Sequence, residues 1–336
     1  MIPSPESGGP EFAATRNLIL VTGKGGVGKT VFSQALAFAL AKTKKVLWIN
    51  FDDPNRKPGE RYLLTQKFEA QIPPDRRNHP PFSFPLPQVN AYNCEAGSAF
   101  EEYIHLKVGK LPLANLFLNS PVIKSLVRAS PGIHELVQLG KVWHERKFFD
   151  HLVVDLPSSG YAVAMFQSMT NFKNLFRTGP VVRDAEGMLS TFNQPELASL
   201  FILTLPEEMP VREGIELRSQ LQSLFPGNPS HVVCNRLLRE PKYGSVAPQL
   251  PPSDISSLIP RSAEEFAQER AALEWEHLQT FEREKIPYWT LPFDLATVKN
   301  PELGPLYLSQ KIANWIKPSE STEPRVPGTQ GAPESP

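Results

Sequence analysis

The sequence is poor in cysteine. Cys94 and Cys234 are its only two, set far apart with no C-x-x-C pair, which excludes a disulfide framework and a cysteine zinc site. It also lacks an excess of either charge. Lys+Arg and Asp+Glu both number 35, so the balance points to neither nucleic acid nor an anionic membrane as a partner. No run approaches the ~18 apolar residues that would span a bilayer. Residues 1–16 have no apolar core and do not read as a secretory signal. A cytoplasmic protein without an integral membrane segment is the expectation. No internal repeat is visible.

Proline is abundant instead. The 35 prolines among 336 residues are about twice the ~5% of average usage, and they imply long, punctuated loops. With 40% hydrophobic residues, most of the chain should still fold around a sizeable core. Short apolar runs recur at 17–22, 45–50, 150–155, 199–205, 231–235 and 287–292. Residues apolar in succession read as strands buried on both faces, as in a parallel sheet. Helical spacing separates them at 29–42 and 210–224. This alternation predicts an α/β fold, a doubly wound and mostly parallel sheet.

Other stretches interrupt the alternation. Residues 70–90 are too proline-rich for a central element and are expected as a surface loop. Residues 97–145 and about 161–198 read as a helical insertion. Ser262 and Glu265 form a capping-box pattern that announces a long helix. The predicted organisation is a flexible lead over 1–16, a single domain over 17–317, and a disordered proline-rich tail over 318–336.

The chemistry begins at GKGGVGKT, residues 23–30. Gly23, Lys24, Gly25, Gly26, Val27, Gly28, Lys29 and Thr30 satisfy G-x-x-x-x-G-K-[ST] in full, with a strand before and a helix after. Glycines let backbone N–H groups turn inward and phosphates approach closely. The helix start adds its positive dipole end. Lys29 would neutralise the terminal phosphates, and the Thr30 hydroxyl would supply a magnesium ligand. ATP and Mg2+ are therefore the expected ligands of a P-loop NTPase.

A second lysine at position 24 makes this loop similar to the deviant phosphate loop of the signature-lysine ATPases. In that superfamily the first lysine reaches across a dimer interface to the partner's nucleotide. The resemblance therefore implies that Lys24 acts between two subunits; the other reading is a solvated surface charge. WINFDDPN (48–55) resembles the first switch of the arsenite-pump and tail-anchored-protein-targeting ATPases, which implies that Asp53 positions and activates the attacking water. Asp52 is an adjacent carboxylate, and Phe51, Asn55 and Arg56 depart from the family pattern. FDHLVVDLPSSGY (149–161) is a Walker-B pattern that places Asp155 near magnesium. Tyr161 stands where the family has histidine. Segments 129–143 and 202–217 resemble the arsenite-pump family's Pro-Gly-Ile-x-Glu-Leu and Pro-Glu-Glu-x-Pro-x-x-Glu stretches. Asn235 matches the residue that meets the adenine edge. Over about residues 17–317 the chain is identified as a member of the arsenite-pump ATPase family.

The resemblance implies an ATP-hydrolysing dimer, with itself or with a related ATPase, that handles a client. The metal-binding cysteines of the arsenite pump and of the tail-anchored-protein ATPase have no counterparts here. Residues 100–127 are rich in Leu, Phe, Val and Ile, and read either as core packing or as a client groove. His134 and His144 lack ligand spacing. A slowly hydrolysing scaffold is the alternative. A partition-type spatial organiser fits less well, because helix 303–317 resembles a domain-closing helix rather than a membrane anchor.

Overall fold

The computed structural model describes residues 17–51, 82–83, 89–97, 99–100, 102–103, 132–175, 178–238, 263–293 and 304–316. Its strands are β1 (Leu18–Gly23), β2 (Val46–Phe51), β3 (Phe82–Ser83), β4 (Val89–Cys94), β5 (His151–Asp155), β6 (Ala198–Thr204), β7 (His231–Leu237) and β8 (Tyr288–Pro292). Its helices are α1 (Lys29–Leu40), α2 (Ile133–Glu145), α3 (Ser159–Leu175), α4 (Pro180–Phe192), α5 (Glu208–Leu224), α6 (Ala263–Arg283) and α7 (Gly304–Ile316). The strands form one eight-stranded sheet in the order β3-β4-β2-β5-β1-β6-β7-β8. All neighbours pair in parallel except the short edge strand β3.

The consecutive apolar runs have the predicted cause. Leu18, Leu20, Leu152, Val154, Leu200 and Ile202 point into a core shared with α2, α3 and α4. Their alternates Ile19, Val21, Val153, Phe201 and Leu203 point into a second core built with α1. Both faces are covered, so neither face of the central strands alternates with polar residues. The stretches expected as a helical insertion are, where described, largely α2, α3 and α4 against the first core. Leu308 and Ile312 of α7 are buried in the second core with Phe32 and Leu36 of α1. Among the described residues, no helix is long and apolar enough to cross a membrane.

The edge of the sheet corrects one expectation. Part of the segment read as a surface loop, 70–90, belongs to strands: Phe82–Ser83 pairs antiparallel with β4, and β4 begins at Val89. The sequence of β4, VNAYNC, sets two half-buried asparagines, Asn90 and Asn93, among buried residues, one on each face. They interrupt the continuous apolar run that marks a doubly buried strand, and the prolines before it masked the strand further. Ser262, where the capping box would start, lies outside the described residues, as do Asp52, Asp53 and residues 104–127.

β1 sits at the point where the chain changes direction across the sheet. After β1 the connection runs to β2 on one side, and after β5 it runs to β6 on the other. Ligands of open α/β sheets bind at the carboxyl ends of the strands flanking such a switch point. That end of β1 carries the glycine-rich loop.

Candidate functional site

Two glycines shape the loop. Gly23 ends β1 opposite Leu203 of β6, and a Cβ there would lie 2.2 Å from the Leu203 carbonyl oxygen. Gly28 caps α1 in the left-handed region, at φ 96° and ψ 22°, and its carbonyl accepts the first helical N–H, from Phe32, at 3.0 Å. At Gly25 and Gly26 an added Cβ would meet nothing within 4 Å. The loop is thus held at both ends and open in its middle, where a phosphate chain would lie.

The side chains predicted to work together do meet. Thr30 Oγ1 donates to Asp155 Oδ2 at 2.6 Å across 125 residues of sequence. Asp155 ends β5 in register with Val21 of β1 and Asn50 of β2. Lys29 Nζ donates to the Lys24 carbonyl oxygen at 2.9 Å. Asn235 of β7 reaches the loop as well. Its Nδ2 donates to the Val27 carbonyl at 2.9 Å, and its Oδ1 accepts from Arg236 N at 3.0 Å. A Cβ on Gly28 would come within 2.6 Å of the same amide nitrogen. β2 ends at Phe51 on this same edge of the sheet; Asp53, the expected water-positioning residue, lies outside the described residues.

A buried relay fixes the first turn of α1. Trp48 of β2 donates its indole N–H to Ser33 Oγ at 3.0 Å, and Ser33 Oγ donates to the Thr30 carbonyl, also at 3.0 Å. Both Trp48 and Ser33 are buried, so the bonds are shielded from water and hold the Thr30 backbone tightly.

A cavity of about 260 Å³ opens at the carboxyl ends of β6, β7 and β8, with Leu205, Pro206, Arg236 and Phe293 in its lining. Arg236 has φ 62° and sits where the β7–β8 register shifts between Cys234 and Leu237. Such irregularities re-aim side chains near sites. Beside the cavity, Glu274 accepts the Leu238 N–H at 3.0 Å and Arg270 Nε at 3.2 Å. Burial pushes the Glu274 carboxyl upward, against the lowering pull of those two donors. Arg270 also binds Glu207 at the start of α5, at 3.0 Å.

Lys24 has a partner that the sequence reading missed: Glu213 of α5, with Nζ–Oε1 2.6 Å. Glu213 lies inside the quoted segment 202–217, yet 189 residues separate the pair, and a single sequence carries no signal of that contact. Tyr161, in the place of the family's histidine, packs against the first core. Burial pushes the Cys234 thiol well above its ordinary value, which disfavours the thiolate that soft metals need. Among the described residues, no group of three or more His, Cys, Asp and Glu is arranged to hold a metal ion. Thr30 and Asp155 do fit magnesium, which takes one or two protein oxygens and completes its shell with substrate phosphates and water.

Comparison with known proteins gives consistent relatives. The family profile described as the CobQ/CobB/MinD/ParA nucleotide binding domain matches residues 18–236. The ATPase BagA of Mycobacterium tuberculosis is 26% identical over 239 residues, covering 67% of this chain and 68% of that protein. The ATPase get3 of Schizosaccharomyces japonicus is 23% identical over 260 residues, covering 66% of this chain and 75% of that one. A Halobacterium salinarum protein, named as an arsenical pump-driving ATPase, is 24% identical over 247 residues. That match covers 68% of this chain and 36% of the other.

Proposed function

Because the chain belongs to the CobQ/CobB/MinD/ParA nucleotide-binding family and is an ATPase, we propose that it hydrolyses Mg-ATP as a cytoplasmic dimer. Nucleotide state would open and close that dimer around a client. The observation that carries this reading is the convergence of Lys29, Thr30, Asp155 and Asn235 on one loop. Phosphates would lie over Gly25 and Gly26, held by loop N–H groups and by the positive end of α1. Lys29 would exchange the Lys24 carbonyl for the terminal phosphates. Magnesium, held by Thr30 directly and Asp155 through water, would supply charge neutralisation at the phosphates. Base and ribose would occupy the cavity beside Arg236, with the second N–H of Asn235 Nδ2 turned to the adenine edge.

Hydrolysis needs a positioned water, and phosphoryl transfer is chiefly positioning and electrostatics. Asp53 is proposed for that role, Asp155 being committed to Thr30. Asp53→Asn should bind ATP nearly as the parent does and turn it over at least about tenfold more slowly, which requires only ~1.4 kcal/mol of transition-state stabilisation. Steady-state phosphate release with parallel nucleotide titration checks this. Parent-like turnover in Asp53→Asn, with loss in Asp52→Asn instead, would move the role by one residue. A second reading, a slowly hydrolysing scaffold paired with a related ATPase, is favoured by Tyr161. Its side chain is partly buried and packs against the first core. Turnover measured with and without such a partner separates the two readings.

A further inference from the structure

Helix α6 forms one wall of the cavity at the carboxyl ends of β6, β7 and β8. It presents Phe266, Arg270 and Glu274 there, residues four apart and therefore stacked on one face of the helix. Glu274 is only 2% exposed, and a buried charge is costly unless it is paired and hydrogen-bonded. Both of its oxygens are engaged. Oε2 accepts the Leu238 N–H at 3.0 Å, and Oε1 accepts Arg270 Nε at 3.2 Å. Arg270 continues outward, donating from a terminal guanidinium nitrogen to Glu207 Oε1 at 3.0 Å. Glu207 caps α5 and follows Leu205 and Pro206, which also line the cavity. The three side chains form a strap that runs from the end of β7, along α6, to the turn between β6 and α5.

What the strap holds at β7 is an irregular turn. Arg236 stands at φ 62°, a left-handed conformation that residues other than glycine adopt uncommonly, where the β7–β8 register shifts between Cys234 and Leu237. Such a backbone persists only where its surroundings hold it. Two bonds do so on the C-terminal side. Phe293 N donates to the Leu237 carbonyl at 2.6 Å, and Glu274 takes the next N–H, that of Leu238. On the other side stands Asn235, whose Oδ1 accepts from Arg236 N at 3.0 Å and whose amide is proposed to meet the adenine edge. We propose that Glu274 is a positioning residue for recognition of the base. Through Leu238 it holds the turn that aims Asn235, and through Arg270 and Glu207 it fixes the two strand ends bordering the cavity relative to each other. This rests on the reading that base and ribose occupy that cavity. The strap acts on the base and not on the phosphates, which belong to the loop between β1 and α1.

The test uses the full chain as the parent, Glu274→Gln and Arg270→Met, with Phe293→Ala as a marker of the cavity itself. Titration calorimetry with non-hydrolysable Mg-ATP and Mg-GTP analogues and with inorganic Mg-tripolyphosphate separates base recognition from phosphate binding. Glu274→Gln should weaken the ATP analogue about five- to tenfold and leave tripolyphosphate within about twofold. The preference for adenine over guanine should narrow accordingly. In turnover the same loss should appear in KM for ATP rather than in kcat. Arg270→Met deletes the middle of the strap at a partly exposed position and should repeat the pattern at about two- to fivefold. It carries the test if Glu274→Gln does not fold. An equal fall for the ATP analogue and tripolyphosphate, or no fall for either, overturns the proposal and leaves the strap a brace of the fold. If Phe293→Ala also keeps the parent's ratio of ATP analogue to tripolyphosphate, the base lies elsewhere and the reading of the cavity fails first. A ratio lowered in Phe293→Ala but parent-like in both strap variants overturns the role of Glu274 alone.

Discussion

Replacing Lys29 by alanine is expected to weaken ATP binding by at least about 100-fold, close to 2.7 kcal/mol, while Lys24→Ala stays within a few-fold of the parent. The two lysines sit five residues apart, but their surroundings differ. Lys29 leaves the first turn of α1 and already lies along the loop, with its Nζ 2.9 Å from the Lys24 carbonyl. Removing it deletes a charge-assisted bond to the nucleotide's own phosphates, and losing one partner of such a pair typically costs 2–5 kcal/mol. Lys24 instead points to Glu213 on α5, away from that line. Its removal should leave affinity nearly intact yet abolish nucleotide-induced compaction and most turnover, because it withdraws a cation from charge developing in the partner's site. Nucleotide titration and small-angle scattering with a non-hydrolysable analogue give the two readouts. If Lys24→Ala lost binding as thoroughly as Lys29→Ala, Lys24 would serve its own subunit. If it changed nothing, its charge would be ornamental.

Gly23→Ala should destabilise the fold by about 3 kcal/mol or more, lowering the melting temperature by on the order of 6 °C. Its Cβ would stand 2.2 Å from the Leu203 carbonyl oxygen, with φ at 146°. The obstacle is backbone in a central strand, which cannot swing aside as a flexible side chain can, so overpacking adds to the strain of positive φ. Gly25→Ala is the matched control, since its Cβ meets nothing within 4 Å. Its melting temperature should stay near the parent's, while ATP affinity falls because a methyl group occupies the space left for phosphate. Loss of stability at Gly25, or none at Gly23, would contradict this account of the loop.

The sequence made the loop, the central strands and the meeting of Thr30 with Asp155 legible, because each rests on local chemistry: a glycine pattern, a run of buried residues, a carboxylate at a strand end. Asn235 was legible only through the resemblance, yet the structure carries it to Val27 and Gly28 across the chain. What stayed hidden depends on distant partners. β4 carries asparagines and follows a proline-rich stretch, so its strand character depends on pairing with β2. Glu213 looked like one acid among several at a helix start, since nothing local marks which lysine it meets. The Arg270 bonds to Glu207 and Glu274 join two helices whose faces a single sequence does not align.

The relay from Trp48 through Ser33 to the Thr30 carbonyl has an optical consequence. The indole is buried in the sheet and hydrogen-bonded to a hydroxyl that itself grips the residue proposed to meet magnesium. A small displacement of the first turn of α1 on loading would lengthen or bend the indole's bond and alter the polarity it senses. Trp48 would then report occupancy through its own emission, without any added dye. Replacing the other tryptophans by phenylalanine would leave a chain in which one fluorophore follows the phosphate loop directly, in real time.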